Sequence, residues 1–367
     1  MMMQLSFKNK ILILFSSAVC LLLAIKLAAW LFLVRLDGLT ALYILFYLLI
    51  FSVFIVWLLG IILFAADKAS RKYLIIYLIF GTMLFFARVT RVLPHYNILD
   101  NVFYGTALAP NLYRILVPCL SFPVLSLFPA LHWLNAARIW NFMFILTAFP
   151  LFHKYLSKWF DARICFVLTL LLGFMMPLSF WYDYPDDFLD IIVFTLGFMW
   201  IRDKKDLLLL LLIPIASLNK ETAVFLAAAY FISNVEKRNF IRVTLKSSAY
   251  FLVWLIPTIA LRLIRGFRPY RSDLFTLPEN VTSVIYGFLL YNSRFFDLLL
   301  FIFVFLIIYY VFRQEKEDVF LKRNLITALF IFIVSCNVAL MYEIRIFYPI
   351  LPIMIPLAFY PLFGNRQ

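Results

Sequence analysis

The apolar runs of this chain are long and almost free of charge. Ile11 to Val34, Ala41 to Ala66 and Leu325 to Met341 contain one charged side chain between them, Lys26. A helix crosses a hydrocarbon layer of about 30 Å with about 20 residues, the length of these runs. The strands of a transmembrane β-barrel would instead alternate apolar and polar residues over short segments. Hydrophobic residues make up 65% of the chain and charged ones 14%, with a mean hydropathy of +0.98. Soluble domains run at roughly half apolar and a quarter charged. A soluble globular enzyme, a disordered chain and a disulfide-built secreted domain are thereby excluded. The expectation is an all-α polytopic transmembrane bundle of about twelve spans, a single multi-pass domain over residues 1–367.

Spans are expected near 11–34, 41–65, 73–90, 139–152, 164–180, 188–201, 207–218, 222–233, 247–263, 294–312, 325–341 and 347–363. The run after Lys8 and Lys10 resembles a signal peptide. It continues past signal length without a small-residue cleavage site and reads as a retained first helix. With the N-terminus inside, the inner segments hold 20 of the 33 Lys and Arg residues and the outer ones 12. The positive-inside bias then puts both termini in the cytoplasm of an inner or plasma membrane. The outer loops become 89–138, 181–187, 219–221, 264–293 and 342–346. This requires that 115–132, with Pro118, Pro123 and Pro129, not cross once, and it reads as a re-entrant or interfacial segment. Leu207–Leu218 and Thr222–Ser233 are each about 18 Å long as helices, short of a full crossing. Asn219-Lys220-Glu221 between them is expected below the outer surface, in a protein-lined cavity.

The net charge of +14 is scattered between apolar runs, which reads as topology signal and anionic-ligand contacts rather than nucleic-acid binding. Cys20, Cys119, Cys165 and Cys336 lie in apolar stretches with no CxxC, and His95, His132 and His153 are far apart. No internal repeat is visible.

The polar residues concentrate on the expected outer side. The first long loop carries Tyr96 to Tyr104, including Asp100, and then Pro110-Asn-Leu-Tyr113-Arg114-Ile-Leu-Val-Pro118. The second is Trp181-Tyr-Asp183-Tyr-Pro-Asp186-Asp187-Phe-Leu-Asp190. Asn219-Lys220-Glu221 forms the third, Arg262, Arg265, Arg268 and Arg271 the fourth, and Glu343-Ile-Arg345 the last. Asp186 after Pro185 also suits a helix start, where the dipole favours acids. On a helix, Asp183, Asp187 and Asp190 share a face, and four acids in eight residues call for a cation or basic partner. If a divalent ion (Mg or Mn) takes part, Asp183 and Asp187 are the pair to hold it. Lys220 and Glu221 also suit structural ion pairs with neighbouring loops, and Glu343 and Arg345 suit a lock between two helix ends. Arg268 and Arg271 flank Pro269-Tyr270 and suit bidentate phosphate binding, whereas Arg262 and Arg265 lie nearer the apolar span and suit snorkelling to headgroups.

Asp100-Asn-Val-Phe-Tyr104, Tyr113-Arg114-Ile-Leu-Val-Pro118, the acids 183, 186 and 187, and Asn219-Lys220-Glu221-Thr222-Ala223 appear in an order that resembles the C-type (GT-C) glycosyltransferase superfamily. Those multi-pass enzymes take a sugar from a polyprenyl-phosphate carrier on the outer face. The likeness covers short motifs and layout. Two spans precede the catalytic loop's own helix, where many relatives have none, so Asp37 competes for the acid position. The resemblance implies transfer of a sugar to a lipid, glycan or protein acceptor. Asp100, with Asp183 second, is then the base that takes the acceptor's proton. Arg114, Asp186, Asp187, Lys220, Glu221, Arg268, Arg271, Glu343 and Arg345 form the substrate and phosphate site. The partners are the bilayer, the polyprenyl-phosphate-linked sugar and its acceptor. Two other classes share the basic cavity: a transporter or flippase of an anionic lipid-linked substrate, and a noncatalytic subunit of envelope glycan assembly. Transporters more often place charges at the bilayer midplane.

Overall fold

A computed structural model describes residues 68–91, 101–102, 107, 111–128, 131–176, 187–267, 318–338 and 344–364. The expected spans 11–34, 41–65 and 294–312 lie outside them. The described α-helices are α1 Lys68–Arg91, α2 Leu116–Leu127, α3 Trp133–Leu156, α4 Ala162–Met175 and α5 Asp187–Arg202. They continue with α6 Asp206–Ser217, α7 Phe225–Asn234, α8 Phe240–Arg265, α9 Val319–Val338 and α10 Leu351–Phe363. Short 3-10 helices cover Asn111–Tyr113, Glu221–Val224 and Ile344–Ile350. Among the described residues there is no strand, as the continuous apolar runs require. One of these helices, α8, is long and apolar enough to cross a membrane, with mean hydropathy 1.6 over its best window.

Helix α3 is the spine. Antiparallel α1 packs Tyr77 and Phe80 against Phe149 and Phe85 against Phe142 with their rings tilted. Buried His153 shares a 2.6 Å hydrogen bond with the Tyr77 hydroxyl. Helix α5 runs parallel to α3, from Phe188 against Phe149 to Arg202, whose guanidinium lies 4.1 Å over the Trp159 ring. The 24 residues of α3 rise about 36 Å and the 16 of α5 about 24 Å. The first turn of α5 therefore lies well inside the level at which α3 starts, at Phe149.

Two glycines permit the close helix contacts. A Cβ at Gly197 of α5 would lie 2.4 Å from a Leu226 methyl of α7, and one at Gly173 of α4 would lie 2.2 Å from the Phe80 ring of α1.

Several basic turns share one end of the bundle. Lys158 bonds both carboxylate oxygens of Asp203 at 2.6 and 2.8 Å. Arg202 donates to Asp318 at 3.2 Å, Arg323 lies 3.8 Å from Glu236, and Phe160 packs edge-on against Tyr360. The other Oδ of Asp318 accepts from the backbone N–H groups of Phe320 and Leu321, capping α9. Asp318→Ala removes cap and ion pair together and is expected to cost about 1–3 kcal/mol, whereas Asp318→Asn, which keeps an acceptor, costs about 1 kcal/mol or less. Thermal unfolding of both variants in one detergent measures this, and equal losses would refute the capping role.

At the opposite end, α2 begins where the Leu116 N–H donates to the Leu218 carbonyl at 3.0 Å. It rises along α3, where the Trp140 indole donates to the Leu120 carbonyl, and ends at exposed Phe128 beside the start of α3. Its 12 residues rise about 18 Å, half the length of α3.

Helix α8 buries Val243, Tyr250, Thr258 and Leu261 and turns Ile241, Leu245, Leu252, Ile256, Ile259 and Leu263 outward. Ile241 is 75% exposed and Ile256 67%. A continuous apolar stripe left in water on this scale is costly, because soluble chains seldom expose more than a few hundred Å² of contiguous apolar surface. Ile75, Ile79, Met83 and Phe86 of α1 add to the same pattern.

Candidate functional site

The site is built where α6 breaks. Helix α6 stops after Ser217, the chain turns through Leu218 and Asn219, and Lys220 stands in extended conformation before the 3-10 helix Glu221–Val224. The Asn219 and Lys220 amides both donate to the Ala216 carbonyl at 3.0 Å, closing the end of α6. This break sends two adjacent side chains, Lys220 and Glu221, to different partners.

Lys220 turns to α5. Its ammonium lies 2.5 Å from Asp190 Oδ2 and 3.6 Å from Asp187 Oδ1. The Asn219 amide donates to the second Asp190 oxygen at 2.7 Å. Asp187 and Asp190 are three residues apart in the first turn of α5, so they share a face, and the helix dipole favours acids there. Both are buried, as are Asn219 and Lys220. In an apolar bundle these charges are tolerated because one ammonium bonds Asp190 and stands 3.6 Å from Asp187, while the Asn219 carboxamide bonds the other Asp190 oxygen.

Glu221 turns to the 111–115 segment. Its carboxylate lies 3.9 Å from Arg114 Nε, and Arg114 also donates to Asn111 Oδ1 at 3.3 Å. The Trp254 indole of α8 donates to the Glu221 carbonyl at 3.1 Å. Higher on α8, the Arg262 guanidinium lies 4.8 Å over the Tyr113 ring and donates to the Thr258 carbonyl. The Tyr113 hydroxyl donates to the Gly266 carbonyl at 3.0 Å, and Arg265 donates to the Val102 carbonyl. Val102, Ala107, Tyr113, Ile115, Cys119 and Leu261 form a satellite apolar cluster apart from the main core.

The depth of this assembly follows from α8. Trp254 sits near the middle of that helix, about 20 Å from one end and about 15 Å from the other. Lys220, Glu221 and the acids of α5 therefore lie near its mid-level. Asn219 and Lys220 are buried there, at 2% and 9% exposure.

Of the expected site residues, Arg114, Asp187, Lys220 and Glu221 come together. Asp100, Asp183, Asp186, Arg268, Arg271 and Glu343 lie outside the described residues, as does Asp37. Arg345 opens the 3-10 helix Ile344–Ile350, and its side chain lies outside them too. Among the described residues no group of three His, Cys, Asp or Glu side chains is placed to hold a metal ion. Two readings change. Lys220 is engaged by two carboxylates, so a phosphate would have to compete with them for it. Arg262 and Arg265 make contacts to Tyr113 and Val102 within the protein, where snorkelling to headgroups was expected.

Sequence reasoning left Asn219, Tyr113 and Trp254 without a role, and Asp190 without its place as the closest partner of Lys220. The three-residue spacing of Asp187 and Asp190 was the available signal for the last. Chemically, the assembly is two neighbouring charge groups, a partly exposed Arg114–Glu221 pair and a buried Lys220 with Asp187 and Asp190, and in the buried one a donor or acceptor gains strength from the low dielectric. Set against family models, curated proteins and solved structures, the chain matches none of them.

Proposed function

We propose that this chain is an integral membrane glycosyltransferase that moves a sugar from a polyprenyl-phosphate carrier to a lipid, glycan or protein acceptor on the extracytoplasmic face. In this reading the bundle crosses the cell membrane about twelve times with both termini cytoplasmic. One observation carries the proposal: three separate segments, 111–115, 187–190 and 219–221, bring cations and carboxylates together inside a bundle with an apolar exterior. Such charges in a membrane bundle mark function by default. The Asp100 to Tyr104 and Tyr113 to Pro118 motifs supply the resemblance to C-type enzymes.

The chemistry follows from the groups. A carboxylate, Asp100 in this proposal and Asp183 next, accepts the proton of the acceptor hydroxyl as that oxygen attacks the anomeric carbon. The bond from anomeric carbon to phosphate oxygen breaks, and the lipid phosphate leaves with growing negative charge. Arg114, Arg268, Arg271 and Arg345 are the cations assigned to it, since guanidinium groups pair with phosphate in a bidentate fork. A divalent ion, if required, falls to Asp183 and Asp187.

A second reading, transport of an anionic lipid-linked substrate, is favoured by the level of Lys220 and the α5 acids near the middle of α8, because transporters hold their sites near the midplane. One experiment separates the two. Protein reconstituted in vesicles is given a radiolabelled polyprenyl-phosphate sugar together with a membrane extract as acceptor. Label moved onto the extract supports transfer; intact donor carried across the bilayer without transfer supports transport. Topology is tested by cysteine labelling at positions 184 and 316 in a chain lacking its native cysteines. Outside reagent is expected to reach 184 and not 316, and labelling of 316 in intact cells would overturn the orientation.

A further inference from the structure

Helix α8 anchors both members of the Arg114–Glu221 pair. Glu221 is tied to it through the Trp254 indole, bonded to the Glu221 carbonyl. Arg114 is tied to it through its neighbour Tyr113, which is only 4% exposed. The Tyr113 ring lies under Arg262, and its hydroxyl reaches the Gly266 carbonyl. Gly266 ends α8 with φ +83°, a conformation that side-chain-bearing residues rarely adopt, and this sets the direction of the chain just past the helix. Arg265 fixes the same loop a second time through the Val102 carbonyl. Trp254 and Arg262 lie about 12 Å apart along the axis of α8, with Pro257 between them.

Arg114 Nε stands 3.9 Å from Glu221 Oε2, beyond hydrogen-bond range, while Arg114 donates through another nitrogen to Asn111 Oδ1 at 3.3 Å. Nε itself is buried without a hydrogen-bond partner among the described residues, and a guanidinium so placed suits a charge-assisted bond to a further anion.

We infer that Tyr113 and Arg262, with Arg265, form a clamp that positions Arg114 short of a hydrogen bond to Glu221 and so presents its guanidinium to the anionic group of the substrate. The identity of that group as a prenyl phosphate rests on the glycosyl-transfer reading. The clamp itself rests on the contacts above. These are positioning residues, since they act through Arg114. Cation–ring stacking supplies the direction: the guanidinium of Arg262 covers one face of Tyr113 and limits its rotation.

The test uses the full chain in detergent, with two readouts besides transfer. Spin labels at Asn101→Cys and Phe267→Cys, in a chain whose native cysteines are replaced, report the distance between the loop and the end of α8. Equilibrium binding of farnesyl phosphate, a short prenyl phosphate, reports the presentation of Arg114. Tyr113→Leu and Arg262→Gln are expected to broaden the distance distribution and to weaken farnesyl phosphate binding about 10-fold or more, the scale of one charge-assisted contact. Tyr113→Phe keeps the stacked ring and is expected to lose less than either. Thermal midpoints identify any variant that fails to fold, in which case Tyr113→Phe and Arg265→Gln carry the comparison. Unchanged distances overturn the clamp. Broadened distances with unchanged farnesyl phosphate binding overturn its action on Arg114. Clamp-dependent binding by a chain that transfers no sugar upholds the inference and removes the glycosyl-transfer reading instead.

Discussion

Lys220→Met is expected to destabilise the folded chain by about 3–5 kcal/mol, because removing one member of a buried ion pair leaves the other charge in an apolar setting. The loss falls at the upper end of that range, since one ammonium serves two acids, at 2.5 Å from Asp190 and 3.6 Å from Asp187. Asp190→Asn alone keeps the shape of the site and retains a partner for the Asn219 carboxamide, so its cost is smaller. The double variant Lys220→Met with Asp190→Asn is expected to be more stable than Lys220→Met alone, because the buried carboxylate at 2.5 Å is gone. Thermal unfolding of the three variants in one detergent gives the coupling. Strictly additive losses would show that the pair is not a unit, and a silent Lys220→Met would show that its charge is not needed for folding.

Asp100→Asn is expected to lower glycosyl transfer by about 10²-fold or more, with the thermal midpoint unchanged, if a carboxylate at this position takes the acceptor proton. Asparagine preserves the size of the side chain and removes the basic oxygen, so the change isolates proton transfer. A fall in kcat with little change in the KM for donor is the expected signature, because the base acts in the transition state and the cations hold the donor. Near-normal transfer would pass the role to Asp183 and then to Asp37. Tolerance of asparagine at all three would end the enzyme reading.

The candidate site was partly legible in the sequence. Asn219-Lys220-Glu221 stands out because two apolar segments of 12 residues flank it, too short to carry it to a membrane surface. Asp187 and Asp190 stand out by helical spacing. The proline-rich 115–132 stretch was expected not to cross once, and its helix α2 covers 12 residues. The arginines of α8 were misjudged, because position near an apolar span says nothing about whether lipid or a returning loop covers them. Tyr113 is the loop residue that covers Arg262, and no local pattern links the two.

What the sequence by itself determined is the class of structure: helices, an apolar exterior, charges spared for a few breaks. Hydropathy and the 3.6-residue period are local properties, and each segment declares them without reference to the others. Only the tertiary structure decided the partners. Lys220 takes Asp190 rather than Glu221, Glu221 takes Arg114, and both are levelled against Trp254 at mid-α8. Segments this uniformly apolar pack against one another in many registers at similar cost, since Leu on Leu differs little from Leu on Phe. The register is chosen by the few polar contacts and by close approaches such as that at Gly197, which penalise every alternative that buries a charge unmatched or forces two helices apart.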